Sequence, residues 1–583
     1  MKNEIDFHAP FLTDRHGAQA PCRSKVTEEN GIYSITLSPN CRGSLKEAVL
    51  YSGIHNFPPD AKFYGEGYQK LSQYSGTVTH FGTITGYTDK DHYKLPQTRG
   101  FKTVYNYILI GSGNQTLLIG AASCNRFTTE IRMNKTQIQI VQNLEGLEFA
   151  PEENIRLEKM VILKGEKNKI LKKYAAAISE NHPPKKFFEM PAGWCSWYCI
   201  GPNISEKDIF DNLKIIKEKT PELKYIQIDD GFQPFMGDWL ETSNKFEHPM
   251  KEVCRNIRSA GFEPAIWLAP FIASPKSKLF REHPDYFIKD ENGAPLSSGE
   301  VSFGGWRDGP WYMLDGTNPK AQQYIYDVVY EIYHNWGVRY FKLDAIVWGA
   351  LPFGIRYDKN ATAVEAYRQG MEALWEATGD NAFILGCNAP MWPSLGLVTA
   401  MRVTNDVVRN AKHMANLSEQ CFNRNWMHKT LWINDPDCLI MSDAVSPVMD
   451  PAGIIHKSHI GKKFYKLNNI YIRASGGMIL SGDYICKYGK TETDRLKRIL
   501  DTDYTAAQFD DDLETGTKKT KAGTEYFIFN RSKILKKYSI SVPQGSTATD
   551  MYSGKAIAVQ KNKINVRLRK NDCIWISVKK SRE

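Results

Sequence analysis

Three polar clusters, Asp229-Asp230, Lys342-Leu343-Asp344 and Arg402-Val403-Thr404-Asn405-Asp406, each follow or close a short apolar run in the middle of a 583-residue chain. Lys342 and Asp344 are two apart, so on a strand they point to one face. Arg402, Thr404 and Asp406 share a face by the same rule. The last two clusters each set a cation beside a carboxylate, and a nearby cation keeps a carboxylate ionised. Trp194, Trp197, Trp239 and Trp267 add flat apolar surfaces. Acids, cationic donors and aromatic faces together suit a sugar ring, which offers hydroxyls to hydrogen-bond and a C–H face to stack on. Two carboxylates across a glycosidic bond suffice for its hydrolysis. One attacks as the anion, and the other delivers a proton to the leaving oxygen. Asp344 beside Lys342 suits the first role. Asp406 would need a raised pKa for the second, which Arg402 opposes, so spacing alone leaves the acid unassigned.

Groups so far apart in sequence need a scaffold that gathers strand ends. Apolar runs at Tyr225–Ile228, Pro264–Leu268, Val338–Phe341, Ala382–Leu385 and Thr430–Ile433 alternate with amphipathic segments at Ser205–Lys219, His248–Ala260, Pro319–Trp336 and Ala361–Thr378. That rhythm, over roughly 300 residues, predicts a (β/α)8 TIM barrel at 188–488, with functional side chains at the carboxyl ends of its strands. Residues 1–175 predict a β-sandwich domain. Thr136–Ile140 alternates polar and apolar residues, and Val104–Ile119 is split by Gly111-Ser112-Gly113-Asn114 into a hairpin. Those glycines lack the third glycine and following helix of a nucleotide loop. A linker helix beginning near Lys169 continues to Asn181 and, with Pro183-Pro184, carries the chain to about 187. Ser539–Val542 and Lys563–Leu568 predict an antiparallel β domain at 489–583.

Composition narrows the function classes. Lys and Arg number 75 against 65 Asp and Glu, a net charge of +10. No long basic block occurs, so the excess reads as a solvated surface and not as a nucleic-acid footprint. No apolar run is long enough to span a bilayer, and the first residues lack the apolar core of a signal peptide. Eleven cysteines without a small-scaffold spacing fit reduced thiols in the cytoplasm. There is no CxxC pair and no HExxH, so no metal or organic cofactor is expected. Cys195 and Cys199 read as buried thiols, Asp435 and Asp437 as turn residues knitting the barrel rim, and Asp315 as the cap of a helix starting near Pro319.

Eight ordered segments, GWCSWY (193–198), IDDGF (228–232), GDWL (237–240), IWLAPF (266–271), YFKLDA (340–345), ILGCNAP (384–390), MRVTND (401–406) and LWINDPDCLI (431–440), resemble family 36 of the glycoside hydrolases, the microbial α-galactosidases of the melibiase clan. The resemblance implies an amino-terminal β-supersandwich, a catalytic barrel and a carboxy-terminal antiparallel β domain. It implies Asp344 as nucleophile and Asp406 as general acid/base. It implies sugar contacts from Asp229, Asp230, Lys342, Arg402 and Cys387, with Trp197, Trp239 and Trp267 as platform and wall. The stretch Phe63–Gln69 resembles a loop that reaches over the site, with Tyr68 where a tryptophan is common. The implied activity is a retaining, exo-acting α-galactosidase releasing terminal α-galactose from oligosaccharides. Thr404-Asn405 stands where close relatives often have Gly-Pro. That leaves open an α-N-acetylgalactosaminidase, with a roomier pocket at C2, and a transferase of the raffinose-synthase kind. A non-catalytic carbohydrate-binding protein is the reading from another class, and the presence of both acids argues against it. Relatives range from monomers to tetramers, so a homo-oligomer stays open.

Overall fold

Eight short strands run parallel and nearly close on themselves: β1 (Ala192–Cys195), β2 (Tyr225–Ile228), β3 (Glu263–Leu268), β4 (Tyr340–Leu343), β5 (Phe383–Gly386), β6 (Ala400–Arg402), β7 (Ile433–Asp435) and β8 (Ile479–Ser481). The computed structural model describes residues 5–186, 189–443, 448–449, 455–456, 460–500 and 503–580. In space the strands follow chain order from β1 to β7, and β8 lies beside β1. Among the described residues no ladder joins β7 and β8, but Met478 N donates to Asn434 O at 3.1 Å and Leu439 N to Leu480 O at 2.7 Å. Residues of β2, β4 and β5 are buried on both faces, as expected of parallel strands wrapped by helices.

The helices begin where their sequences provide caps. Ser205 and Asp208 form a reciprocal capping box at Glu206–Lys219, and Thr362 and Glu365 another at Ala363–Thr378. The second helix ends at Gly379, whose φ of 56° suits glycine. Asn318, not Asp315, caps Pro319–Tyr330; Asp315 instead accepts from Thr317 and from the Tyr357 backbone. The barrel departs from strict alternation between β5 and β6, where turns replace a helix. Pro390, Pro393 and Gly396 oppose helix formation there. Trp392 lies in this link, fully buried, and its indole donates to Ala121 O at 2.7 Å and stacks on Tyr174. Residues from the amino-terminal part thus cover this stretch of barrel wall.

The amino-terminal part is a branched, 14-stranded antiparallel sheet running from Phe11–Asp14 to Met160–Gly165. In its strand Gln137–Phe149, Ile138 and Ile140 point inward. The helix Lys167–Asn181 follows, burying Ile170, Leu171, Tyr174 and Ile178. After the barrel come a six-stranded sheet from Gln508–Phe509 to Cys573–Lys580 and a two-stranded sheet pairing Lys536–Ser541 with Lys563–Leu568. Among the described residues, no helix is long and apolar enough to cross a membrane.

One hairpin of the first sheet bears on the barrel mouth. Its strands, Lys62–Glu66 and Gln73–Thr77, hold a tip at 67–72. The tip is so tight that a Cβ on Gly67 would lie 1.8 Å from the Ser72 carbonyl oxygen. Asp89 clamps the tip from below, accepting from Tyr68 N (3.0 Å), Gln69 Nε2 (3.0 Å) and Ser72 Oγ (2.9 Å).

Candidate active site

The carboxyl ends of β2, β4, β5 and β6 deliver Asp229, Asp344, Cys387 and Arg402 to one rim. Buried ionised groups need partners, and the partners here differ from those that spacing suggests. Lys342, buried in β4, turns to Asp229 Oδ2 at 2.8 Å rather than pairing with Asp344. Burial works against its ammonium, but Asp229 and more distant anions hold its pKa well above the usual lysine range. Asp229 Oδ2 also accepts from Gln227 Nε2 at 2.8 Å and lies 3.5 Å from the Cys195 thiol.

Asp344 sits just past the end of β4, where Ala345 turns into the left-handed region at φ 54°. Its donors are Ala345 N (2.8 Å) and Asn388 Nδ2 (2.7 Å) on Oδ1, and Trp267 Nε1 (3.1 Å) on Oδ2. None of the three is charged. Asp406 is held in the opposite way. Strand β6 stops at Arg402, so Asp406 lies on the loop beyond it and not on a shared strand face. Its Oδ1 accepts from Arg402 Nη1 at 3.2 Å and from Lys70 Nζ at 2.7 Å. Burial pushes the Asp406 carboxyl up, but Lys70 and Arg402 together outweigh it and hold the group well below the ordinary carboxylate range. About half of the Asp406 side chain remains open to solvent (49%). Lys70 Nζ lies 2.7 Å from Asp406 and 3.7 Å from the Cys387 thiol, and Asn388, the next residue, donates to Asp344 at 2.7 Å, so a short chain of contacts links the two aspartates along one rim.

Arg402 spreads its charge over three acids: Asp406, Asp435 (2.8 Å) and Asp437 (3.1 Å). Asp437 also accepts from Tyr198 Oη at 2.6 Å and Val407 N at 2.5 Å, so Asp435 and Asp437 knit the rim. Cys387 lies 3.7 Å from Lys70 Nζ, and burial pushes its thiol up to about 12, which keeps it neutral. Asp230 is filled by Arg307 Nη2 (2.6 Å), Gln233 Nε2 (2.8 Å) and Trp306 Nε1 (3.3 Å).

Two expected contacts are corrected by the packing. Tyr68 touches none of the site carboxylates with its side chain: it is buried, its hydroxyl donates to Ala350 O at 2.5 Å, and its ring stands edge-on to Tyr105. It anchors the hairpin tip, and Lys70, two residues on, makes the contact at the site. Trp239 is enclosed behind Trp267, edge to face at 5.9 Å, and offers no open surface for a sugar. Trp267 contributes its N–H to Asp344, while the partly exposed Trp306 stands beyond it at 6.4 Å. Trp197 opens a short helix after β1 and is also partly exposed. Lys70, Trp306, Arg307 and Asn388 are site residues that sequence reasoning passes over. Among the described residues, no group of three or more His, Cys, Asp or Glu could hold a metal ion.

A parallel barrel between two β regions, with acids and cations gathered at the strand ends, defines an α/β barrel protein with a polar, charge-rich rim where such barrels carry their sites. Residues 226–374, about a quarter of the chain, match the family model described as Melibiase. Among curated proteins, the chain is similar to α-galactosidase Mel36A of Lactobacillus acidophilus, at 22% identity over 341 residues, 55% of this chain and 40% of that protein. It is also similar to the A type blood α-D-galactosamine galactosaminidase of Flavonifractor plautii, at 28% identity over 185 residues, 30% of this chain and 17% of that protein. The chain therefore spans less than half the length of either relative. Among solved structures, TtGalA, an α-galactosidase from Thermus thermophilus in complex with p-nitrophenyl α-D-galactopyranoside, superposes with a TM-score of 0.63 at 21% identity, covering 87% of this chain and 97% of that one.

Proposed function

We propose that the protein is a glycoside hydrolase of the melibiase clan, a retaining, exo-acting α-galactosidase that releases terminal α-galactose from oligosaccharides. The observation that carries this reading is the pair Asp344 and Asp406 on one barrel rim, linked through Asn388, Cys387 and Lys70, the first held by neutral donors and the second by two cations. Asp344 Oδ attacks the anomeric carbon as the glycosidic C–O bond breaks. The electron pair goes to the departing oxygen, which takes a proton from Asp406. Water then gives a proton to Asp406 and attacks the same carbon, and the ester to Asp344 breaks. Two inversions give net retention. Lys342 with Asp229 and Arg307 with Asp230 form rigid charged corners against which sugar hydroxyls are oriented. The similarity to TtGalA and Mel36A supports the galactoside as substrate.

Asp344→Ala tests the nucleophile. Turnover of nitrophenyl α-galactoside should vanish, and azide should restore part of it as the β-azide. Undiminished turnover in that variant ends the assignment. The similarity to the Flavonifractor plautii protein favours one second reading, a hydrolase of 2-amino or 2-acetamido galactosides. Parallel assays with the nitrophenyl α-galactoside, α-galactosaminide and α-N-acetylgalactosaminide decide between them.

A further inference from the structure

We infer that Lys70 is a positioning residue for this reaction: its ammonium, carried across from the amino-terminal sheet, fixes the Asp406 carboxylate and preserves its negative charge. The inference rests on Asp406 as the acid/base. Lys70 is almost wholly buried (2% exposed), and Asp406 Oδ1 is its carboxylate partner at 2.7 Å. A buried lysine is a poor device for stability, because desolvation can exceed what the pair returns. Nor is Lys70 needed to attach the hairpin. Arg424 Nε pairs with Glu66 at 2.9 Å and its Nη1 donates to the Lys70 carbonyl at 3.0 Å. Tyr68 is tied to Ala350, and Met391 N donates to Tyr68 O at 2.8 Å. With its backbone so clamped, Lys70 has its ammonium aimed at a carboxylate whose side chain is half open to solvent.

Of the two cations on Asp406, Lys70 acts with less division. Arg402 serves three carboxylates and Lys70 one. The other titratable groups whose charge bears on Asp406 are Lys342 on β4, Tyr93 on the amino-terminal part, Tyr198 after β1 and Asp437 after β7, and the His413 ring contacts its backbone carbonyl. Lys70 therefore favours the ionised Asp406 and makes it a weaker base towards a proton. It opposes the step in which Asp406 must hold one for the leaving oxygen.

The test is the pH profile of kcat/KM for an α-galactoside disaccharide, which reports ionisations of the free enzyme. In Lys70→Met, Asp406 should stay protonated to higher pH, moving the basic limb up by about one pH unit or more. Lys70→Arg keeps the charge and should leave the limb near that of the unaltered protein. A limb that stays put in Lys70→Met, in protein whose melting is unchanged, overturns the inference; so does a shift of equal size in Lys70→Arg. Asp406→Ala, measured alongside on nitrophenyl and disaccharide substrates, separates the two claims. Equal losses on both substrates defeat the acid/base reading itself. A smaller loss on the nitrophenyl substrate, with an unmoved limb in Lys70→Met, defeats only the role given to Lys70.

Discussion

Asp344 and Asp406 differ in what holds them, and the difference suits two different tasks. An attacking carboxylate tied to a cation would lose nucleophilicity; Asp344 is oriented by an amide, an indole and a backbone N–H instead. Nearby cations fix a carboxylate and make it a stronger acid once it is protonated, and Asp406 has two. Asn388 reaches Asp344 from a backbone with φ 39°, a region asparagine tolerates better than most residues. Asn388→Ala removes one hydrogen bond to a charged group, about 1.5–3 kcal/mol. If that bond tightens in the transition state, kcat/KM should fall roughly ten- to a hundred-fold, with melting little changed. Steady-state rates beside a melting curve check this, and an unaltered kcat/KM would remove Asn388 from the machinery.

At the scale of elements, the site depends on strand ends and on one visiting hairpin. The strand ends were legible in the sequence. Period-two spacing brought Lys342 inside the barrel, and the ends of the apolar runs marked the rim at which Asp229, Asp344 and Cys387 stand. What spacing could not supply was the partner. Lys342 turns sideways to Asp229 on β2, a choice made across the barrel interior between residues 113 apart in sequence. Lys70 was hidden for a related reason: its tip has no periodic pattern, and it meets Asp406 across 336 residues. Trp306 and Arg307 lie in the long excursion between β3 and the helix at Pro319, where no regular register announces them. The hairpin tip yields its own prediction. Asp89→Ala strips the acceptor from three donors at Tyr68, Gln69 and Ser72. It should cost about 1–3 kcal/mol and raise amide exchange at 67–72. Unchanged exchange there would show that the barrel side alone holds the tip.

Across the whole molecule, the amino-terminal sheet and the barrel form one working unit. The fully buried Glu66–Arg424 pair joins them, and the same arginine holds Lys70 by its carbonyl. Breaking a buried pair by removing one partner costs about 3–5 kcal/mol. Glu66→Ala should therefore lower the melting temperature and the activity together, whereas a melting loss with full activity would uncouple the hairpin from the chemistry. The proposal as a whole is met most directly by identifying the sugar anomer that appears first. Proton NMR during the first minutes of nitrophenyl α-galactoside hydrolysis should show α-galactose ahead of its slow conversion to the β form, and no sugar release in Asp344→Ala. β-Galactose appearing first, or folded native protein that turns over no α-galactoside, would contradict the assignment.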